Sequence, residues 1–214
     1  TCRDWSSDVC SSDLVQKHNV FDNFDSYINI ILLYIGVILA HASVNLFNDY
    51  SDYKTGIDYD TPKTPFSGGS NMLITGKTKA IQVKRVAYFS LIIASLIGIY
   101  FTIISHWTIL ILMICGALAI LFYTNFLAKI LLGEFFSGLT LGTFVVLGVY
   151  IAMIGNQSMS MSEVLPLPVI LISIPPGILT LLLLYLNEFP DAEADKKGGR
   201  YHLVIALGDR KSTR

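Results

Sequence analysis

Five stretches of this chain stay apolar for long enough to cross a bilayer as helix, and nothing else in the sequence restricts its fold as sharply. A hydrocarbon core of about 30 Å takes roughly 20 apolar residues in helix. Such runs occupy 26–47, 86–104, 107–127, 135–154 and 164–186. The fold class they predict is all-α, a polytopic transmembrane helical bundle whose first partner is the lipid bilayer. Composition points the same way, with 53% of residues hydrophobic and 14% charged, where soluble domains carry about a quarter charged. A net charge of −1 gives no reason to expect nucleic acid as a partner.

The few cations are not spread evenly, and their placement predicts an orientation. Segment 48–85 carries Lys54, Lys63, Lys77, Lys79, Lys84 and Arg85; the link at 105–107 has no Lys or Arg; Lys129 follows the third run; 155–163 again has none; Lys196, Lys197 and Arg200 follow the fifth. Lys and Arg accumulate in cytoplasmic loops, so the links after the first, third and fifth runs are expected on the cytoplasmic side. Ser105-His106-Trp107 fits a tight hairpin, with Trp107 at the interface and His106 a loop residue rather than a ligand. Pro166, Pro168, Pro175 and Pro176 are expected to loosen or bend the fifth helix.

One domain, residues 15–208, accounts for the pattern, since no tandem repeat or low-complexity linker interrupts it. Residues 1–14 and 209–214, TCRDWSSDVCSSDL and DRKSTR, resemble translated adapter read-through and are set apart as a non-native or disordered leader and tail. On that reading the natural protein continues at both ends. Cys2 and Cys10 lie in the leader and only Cys115 in the apolar body, so neither a disulfide framework nor a zinc site is expected.

The chemistry-bearing residues sit where spans end. The first run passes into NLFNDYSDYKTGID, residues 45–58. At about 100° per residue Asn45, Asp49 and Asp52 share one helical face, with Asn48 beside it. Gly56 permits a turn, after which Asp58 returns another carboxylate. The fifth run ends in NEFPDAEADKKGGR, residues 187–200, where Asn187, Asp191 and Asp195 recur every four residues. Both stripes follow odd-numbered runs and so belong to one side. Crowded carboxylates repel by several kcal/mol at about 4 Å and an effective dielectric near 20. Mg²⁺ characteristically joins one or two carboxylates to the oxygens of a substrate phosphate, which makes a diphosphate substrate the better fit. Either stripe alone is equally a solvated helix end. Intramembrane acids also mark ion pathways, so a transporter is the rival class; here the acids lie at span ends and none lies mid-span.

NDYSDYKTGID and NEFPDAEADKKGGRYHLVIALG resemble the two Asp-rich motifs of UbiA-superfamily prenyltransferases. The stretches TPFSGGSNMLITG at 64–76 and YTNFLAKILLGEFFSGLTLGTFVVLGVY at 123–150 resemble the family as well. Its first motif is usually NDxxDxxxD; here Gly56 holds the place of the last Asp and Asp58 follows. That form resembles the branch that prenylates 1,4-dihydroxy-2-naphthoate in menaquinone synthesis. The resemblance implies a cytoplasmic-membrane enzyme with its site facing the cytoplasm, moving a prenyl chain from a prenyl diphosphate to an aromatic acceptor with Mg²⁺ as cofactor. 4-Hydroxybenzoate and a glycerol phosphate are the alternative acceptors. It implies about nine helices, so with five runs visible the first and last three are expected to be missing. It makes Asp49, Asp52, Asp191 and Asp195 catalytic and, with Asp58, metal-holding, while Asn45, Asn48, Lys63, Asn187 and Arg200 bind substrate. Asn125 and Glu134 would lie near the acceptor. Tyr123 and Tyr150 are set aside as packing or interface aromatics. The two acidic stripes are expected to face one another across one cavity.

Overall fold

The computed structural model describes residues 24–61, 72–123 and 126–208, and within them all regular structure is helical. Lys63, Asn125, the whole of the TPFSGGS segment at 64–70 and the two terminal segments lie outside the described residues. The helices are α1 (Phe24–Thr55), α2 (Ile57–Asp60), α3 (Ala80–Ile104), α4 (Thr108–Phe122), α5 (Gly133–Ile154), α6 (Met161–Val164), α7 (Leu167–Lys197) and α8 (Leu203–Leu207). A single 3-10 turn covers Leu127–Lys129.

Among the described residues four helices, α1, α3, α5 and α7, are long and apolar enough to span a membrane. The third run is the exception. Helix α4 has 15 residues, about 22 Å at 1.5 Å per residue. The apolar run read as extending to 127 ends its helix at Phe122, and Leu127 and Ala128 are instead buried in the 3-10 turn. Their hydrophobicity serves packing at one end of the bundle, not a longer span.

The outer faces are apolar because lipid is the solvent there. Leu179, Leu183 and Leu186 form an exposed stripe along α7, and Ile103 and Ile172 are exposed too. Inside, Phe101, Ile109, Ile151, Ala152 and Val164 form the core cluster. Without a hydrophobic drive between helices in lipid, close approach depends on small residues. A Cβ on Gly138 would lie 2.6 Å from the Gly177 carbonyl oxygen, and one on Gly142 would lie 2.6 Å from the Gly177 Cα. Helix α5 widens to a π-helix over Gly138–Thr143, and this stretch packs on α7. Thr143 adds a hydrogen bond to the Ser173 carbonyl at 3.2 Å. Among the prolines of this region, Pro166 caps α7, Pro168 lies in its first turn, and the helix continues through Pro175 and Pro176. The first turn lacks intrahelical partners for its N–H groups anyway, which is why proline costs little there.

At one end the links after α3 and α5 meet. The Ser105 hydroxyl donates to Gly155 O at 3.0 Å, and Gln157 Nε2 donates to Thr102 O at 2.7 Å. His106, expected as an interfacial loop residue, is buried, its ring placed 2.9 Å from Thr108 Oγ1 and 3.2 Å from Met159 O. At the other end the links after α1, α4 and α7 meet. Leu131 N–H donates to Tyr201 O, and Tyr201 N–H to Ala128 O. The links therefore alternate as the Lys and Arg distribution predicts.

Candidate active site

The C-terminal ends of α1 and α7 bring the two polar stripes together. Gly56 takes a left-handed conformation, φ 83°, which ends α1 and lets α2 fold back with Asp58. Gly198 closes the facing turn, since a Cβ there would collide with Ile57. Gly199, also at φ 83°, then turns the chain so that Arg200 points between the helices.

The result is a cavity of about 290 Å³. Asn45, Asn48, Asp49, Asp52 and Asp58 line it from one side, and Asn187, Asp191, Asp195 and Arg200 from the other. Every substrate- or metal-binding residue expected from the sequence and lying among the described residues is thus on one wall or the other. The stripes face each other across a single space.

Arg200 ties the walls together. Its Nη1 donates to Asp195 Oδ1 at 3.0 Å, its Nη2 donates to Asn48 Oδ1 at 2.8 Å, and Nη2 also pairs with Asp52 Oδ1. Asn48 Nδ2 in turn donates to Asp52 Oδ2 at 3.2 Å. All three charged side chains are largely buried. Burial works against the Arg200 charge, but Asp52 and Asp195 more than offset it and hold the guanidinium above its ordinary pKa. Arg200 is thus the bridge between the two motifs. Lys197 instead pairs with exposed Asp60 at 3.3 Å.

Negative charge remains in excess. Six carboxylates line the cavity, from Asp49, Asp52, Asp58, Glu188, Asp191 and Asp195, against one guanidinium and the imidazole of His202. Asp191 Oδ1 is buried without a hydrogen-bond partner. An oxygen-rich donor set with surplus charge and an unsatisfied carboxylate oxygen fits a hard divalent cation.

Several residues that the sequence left unassigned belong here. Tyr123, set aside as packing, lines the cavity, and burial pushes its hydroxyl pKa up, so it remains protonated at neutral pH. Tyr150, set aside likewise, does pack against the core cluster. Glu188 and His202 line the cavity as well. His202 Nδ1 stands 3.3 Å from Glu188 Oε2, and its Nε2 stands 3.3 Å from Asp195 Oδ2. Glu134 lies behind them, buried, with Oε1 accepting the Leu203 N–H at 2.6 Å. The four-residue spacing of Asn187, Asp191 and Asp195 in α7 offers a signal for those residues but none for Glu188, which stands one residue off that stripe.

Apolar space adjoins the polar cavity. A second cavity of about 120 Å³ shares Asn45, Asn48, Tyr123 and Leu184 with it. That cavity shares Ile120, Thr140 and Leu141 with a third, of about 200 Å³, between α1, α3, α4 and α5. The third is walled chiefly by aliphatic side chains and glycines, among them Leu33, Gly36, Gly98 and Val145.

Comparison with known proteins gives the same direction. The profile of the UbiA prenyltransferase family matches residues 18–214. The 1,4-dihydroxy-2-naphthoate octaprenyltransferase of Bacillus subtilis (strain 168) is 31% identical over 188 residues, covering 84% of this chain and 56% of that protein. The chain therefore spans a little over half the length of the curated relative it matches. No solved structure matches it.

Proposed function

This chain belongs to the UbiA prenyltransferase family, and on that premise we propose that it transfers a prenyl chain from its diphosphate to an aromatic acceptor, 1,4-dihydroxy-2-naphthoate. The observation that carries the proposal is the series of adjoining cavities, sharing wall residues, from a carboxylate-rich cup to an apolar cavity between the helices. A prenyl diphosphate has the same polarity sequence: a small polyanion joined to a long hydrocarbon.

In this reading Asp49, Asp52, Asp58, Asp191 and Asp195, with Asn45, Asn48 and Asn187, would hold Mg²⁺ at the cup. Bound there, Mg²⁺ supplies positive charge to the diphosphate as a leaving group. Arg200 keeps the two acidic helix ends at a fixed separation, and Asn48 orients Asp52 through its amide. The bond between the allylic carbon and the diphosphate oxygen breaks, the electron pair leaves with the diphosphate, and a ring carbon of the acceptor forms the new carbon–carbon bond and then sheds the group it carried, as H⁺ or, at the carboxyl-bearing carbon, as CO₂, so that the ring regains its electron pair. The apolar walls around Ile120, Leu141 and Leu184 keep water from the allylic cation. The protonated Tyr123 hydroxyl, where the polar cup adjoins the apolar space, is placed to donate to an acceptor oxygen. The Lys and Arg distribution supports a cup that faces the cytoplasm, and in this reading the membrane is the cytoplasmic one.

The acceptor rests on the Gly56–Asp58 form of the first motif and on the name carried by the Bacillus relative. The test supplies equal 1,4-dihydroxy-2-naphthoate and 4-hydroxybenzoate, with one labelled prenyl diphosphate, to the protein in proteoliposomes. Prenylated naphthoate as the dominant product supports the proposal. Preference for the single-ring acid, or for a glycerol phosphate offered alongside, moves the acceptor to another branch, and no product with any of them overturns the transfer itself.

A further inference from the structure

Three buried side chains beside the cup are not needed by that reading. Glu134 begins α5, Glu188 lies on α7 and His202 precedes α8. One ligand atom from each lies within 4.8 Å of the others. Glu134 is 1% exposed and His202 3%. Glu134 Oε2, Glu188 Oε2 and both His202 ring nitrogens are buried with no aligned hydrogen bond. Leaving such a group buried without a hydrogen bond is costly, and here four converge.

We propose that Glu134, Glu188 and His202 form a second metal site, at the back wall of the cup and with ligands other than its Asp residues, for a divalent first-row transition ion of the Zn²⁺ type. Imidazole nitrogen favours such ions over Mg²⁺. Two ligand atoms about 2.1 Å from a tetrahedral ion stand roughly 3.4 Å apart, and His202 Nδ1 and Glu188 Oε2 stand 3.3 Å apart. The surroundings orient these ligands as metal ligands are usually oriented, through hydrogen bonds on their other atoms. Asp195 Oδ2 faces His202 Nε2 at 3.3 Å and favours the tautomer whose Nδ1 lone pair points to the ion. The Leu203 N–H holds Glu134 Oε1 and leaves Oε2 turned to the cluster. The ion takes three protein ligands from three segments and keeps a fourth position for water. It joins the start of α5 to the end of α7 behind the cup and pins the stretch that carries Arg200.

The test uses the chelator-stripped protein in detergent, titrated with Co²⁺ alone. The expected result is one equivalent that develops the intense visible absorption of a low-coordinate nitrogen-ligated ion, any further Co²⁺ in the oxygen-lined cup adding only weak six-coordinate bands. Zn²⁺ displaces it and excess Mg²⁺ does not. His202→Asn and Glu188→Gln each weaken binding by about tenfold or more, while Asp49→Asn, across the cavity, leaves the band unchanged. Glu134→Gln keeps an oxygen for the Leu203 N–H, so it weakens Co²⁺ binding without lowering the melting temperature of the metal-free protein. That variant decides the matter if His202→Asn fails to fold. Absence of the band, its survival in Glu134→Gln, or its loss to Mg²⁺ or to Asp49→Asn overturns the site. None of these readings depends on prenyl transfer, so the site and the proposed activity stand or fall separately.

Discussion

His106 and His202 are both buried, at opposite ends of the helices, and their surroundings differ in kind. The His106 ring sits between a threonine hydroxyl and a backbone carbonyl, at 2.9 and 3.2 Å, so each nitrogen has a neutral partner. His202 sits between two carboxylates, both at 3.3 Å and neither aligned. Around His106 the polar groups satisfy one another, as Ser105 and Gln157 do with backbone carbonyls. Around His202 they are left over: Glu134, Glu188 and Asp191 each keep an unpartnered oxygen. Saturated polar groups fix a fold, whereas an excess of one charge and of unmet acceptors prepares a site for something else.

The largest effect that tests this contrast is at Arg200. Arg200→Ala leaves Asp52 and Asp195 buried without their cation, and removing one partner of a buried pair costs about 3 kcal/mol or more. Melting of the purified protein should show the loss, and Arg200→Lys should recover part of it without restoring the forked contact to Asn48. An unchanged melting temperature in Arg200→Ala would mean that the cup is not held together by this residue.

A smaller loss is expected where backbones touch. Gly142→Ala forces a Cβ against Gly177, and overpacking of this kind costs about 1–3 kcal/mol. The melting temperature should fall without any change in metal binding. At the saturated end, His106→Ala should cost about 1–2 kcal/mol by leaving Thr108 and Met159 short of a partner. Transfer rate per folded molecule should stay at the wild-type value. A specific loss of transfer in His106→Ala would break the division between the two ends.

The smallest effect lies in the link between α5 and α7. Glu163 accepts hydrogen bonds from Ser160 N at 2.8 Å and Ser160 Oγ at 2.7 Å, and those bonds hold its pKa below the ordinary carboxylate value. A lowered folded-state pKa contributes stability that is present above the unfolded value and lost as pH falls through the folded one. Glu163→Gln should therefore lower the melting temperature slightly at neutral pH, and the difference from wild type should shrink on acidification below the ordinary carboxylate range.

Much of this architecture is legible in the sequence because lipid imposes a length on helices and spacing imposes a face on side chains. Asn187, Asp191 and Asp195 recur every four residues, so their shared face follows from helix geometry alone. Gly56 and Asp58 follow similarly, because few residues other than glycine take φ 83° without strain. The end of α4 at Phe122 is not legible: Leu127 and Ala128 are as apolar as a span requires, and only tertiary packing shows that they are buried in a turn. His202 and Glu134 are 68 residues apart in sequence and meet only once α5, α7 and α8 have packed, so no local pattern announces them. Arg200 is visible as a cation near the second motif, but its bridge back to Asp52, 148 residues away, belongs to the fold.

The central claim is that both acidic stripes serve one prenyl diphosphate. Its most direct test measures transfer of a labelled prenyl group by wild-type, Asp49→Asn and Asp191→Asn protein in proteoliposomes, with Mg²⁺, in chelator, and after Mg²⁺ is restored. Losing one group that stabilises developing charge typically costs about a hundredfold or more. Both variants should fall by at least that much while melting near the wild-type temperature, since each also relieves repulsion among the carboxylates. Wild-type transfer should vanish in chelator and return with Mg²⁺. Transfer that persists in chelator, or that survives either substitution, contradicts the account.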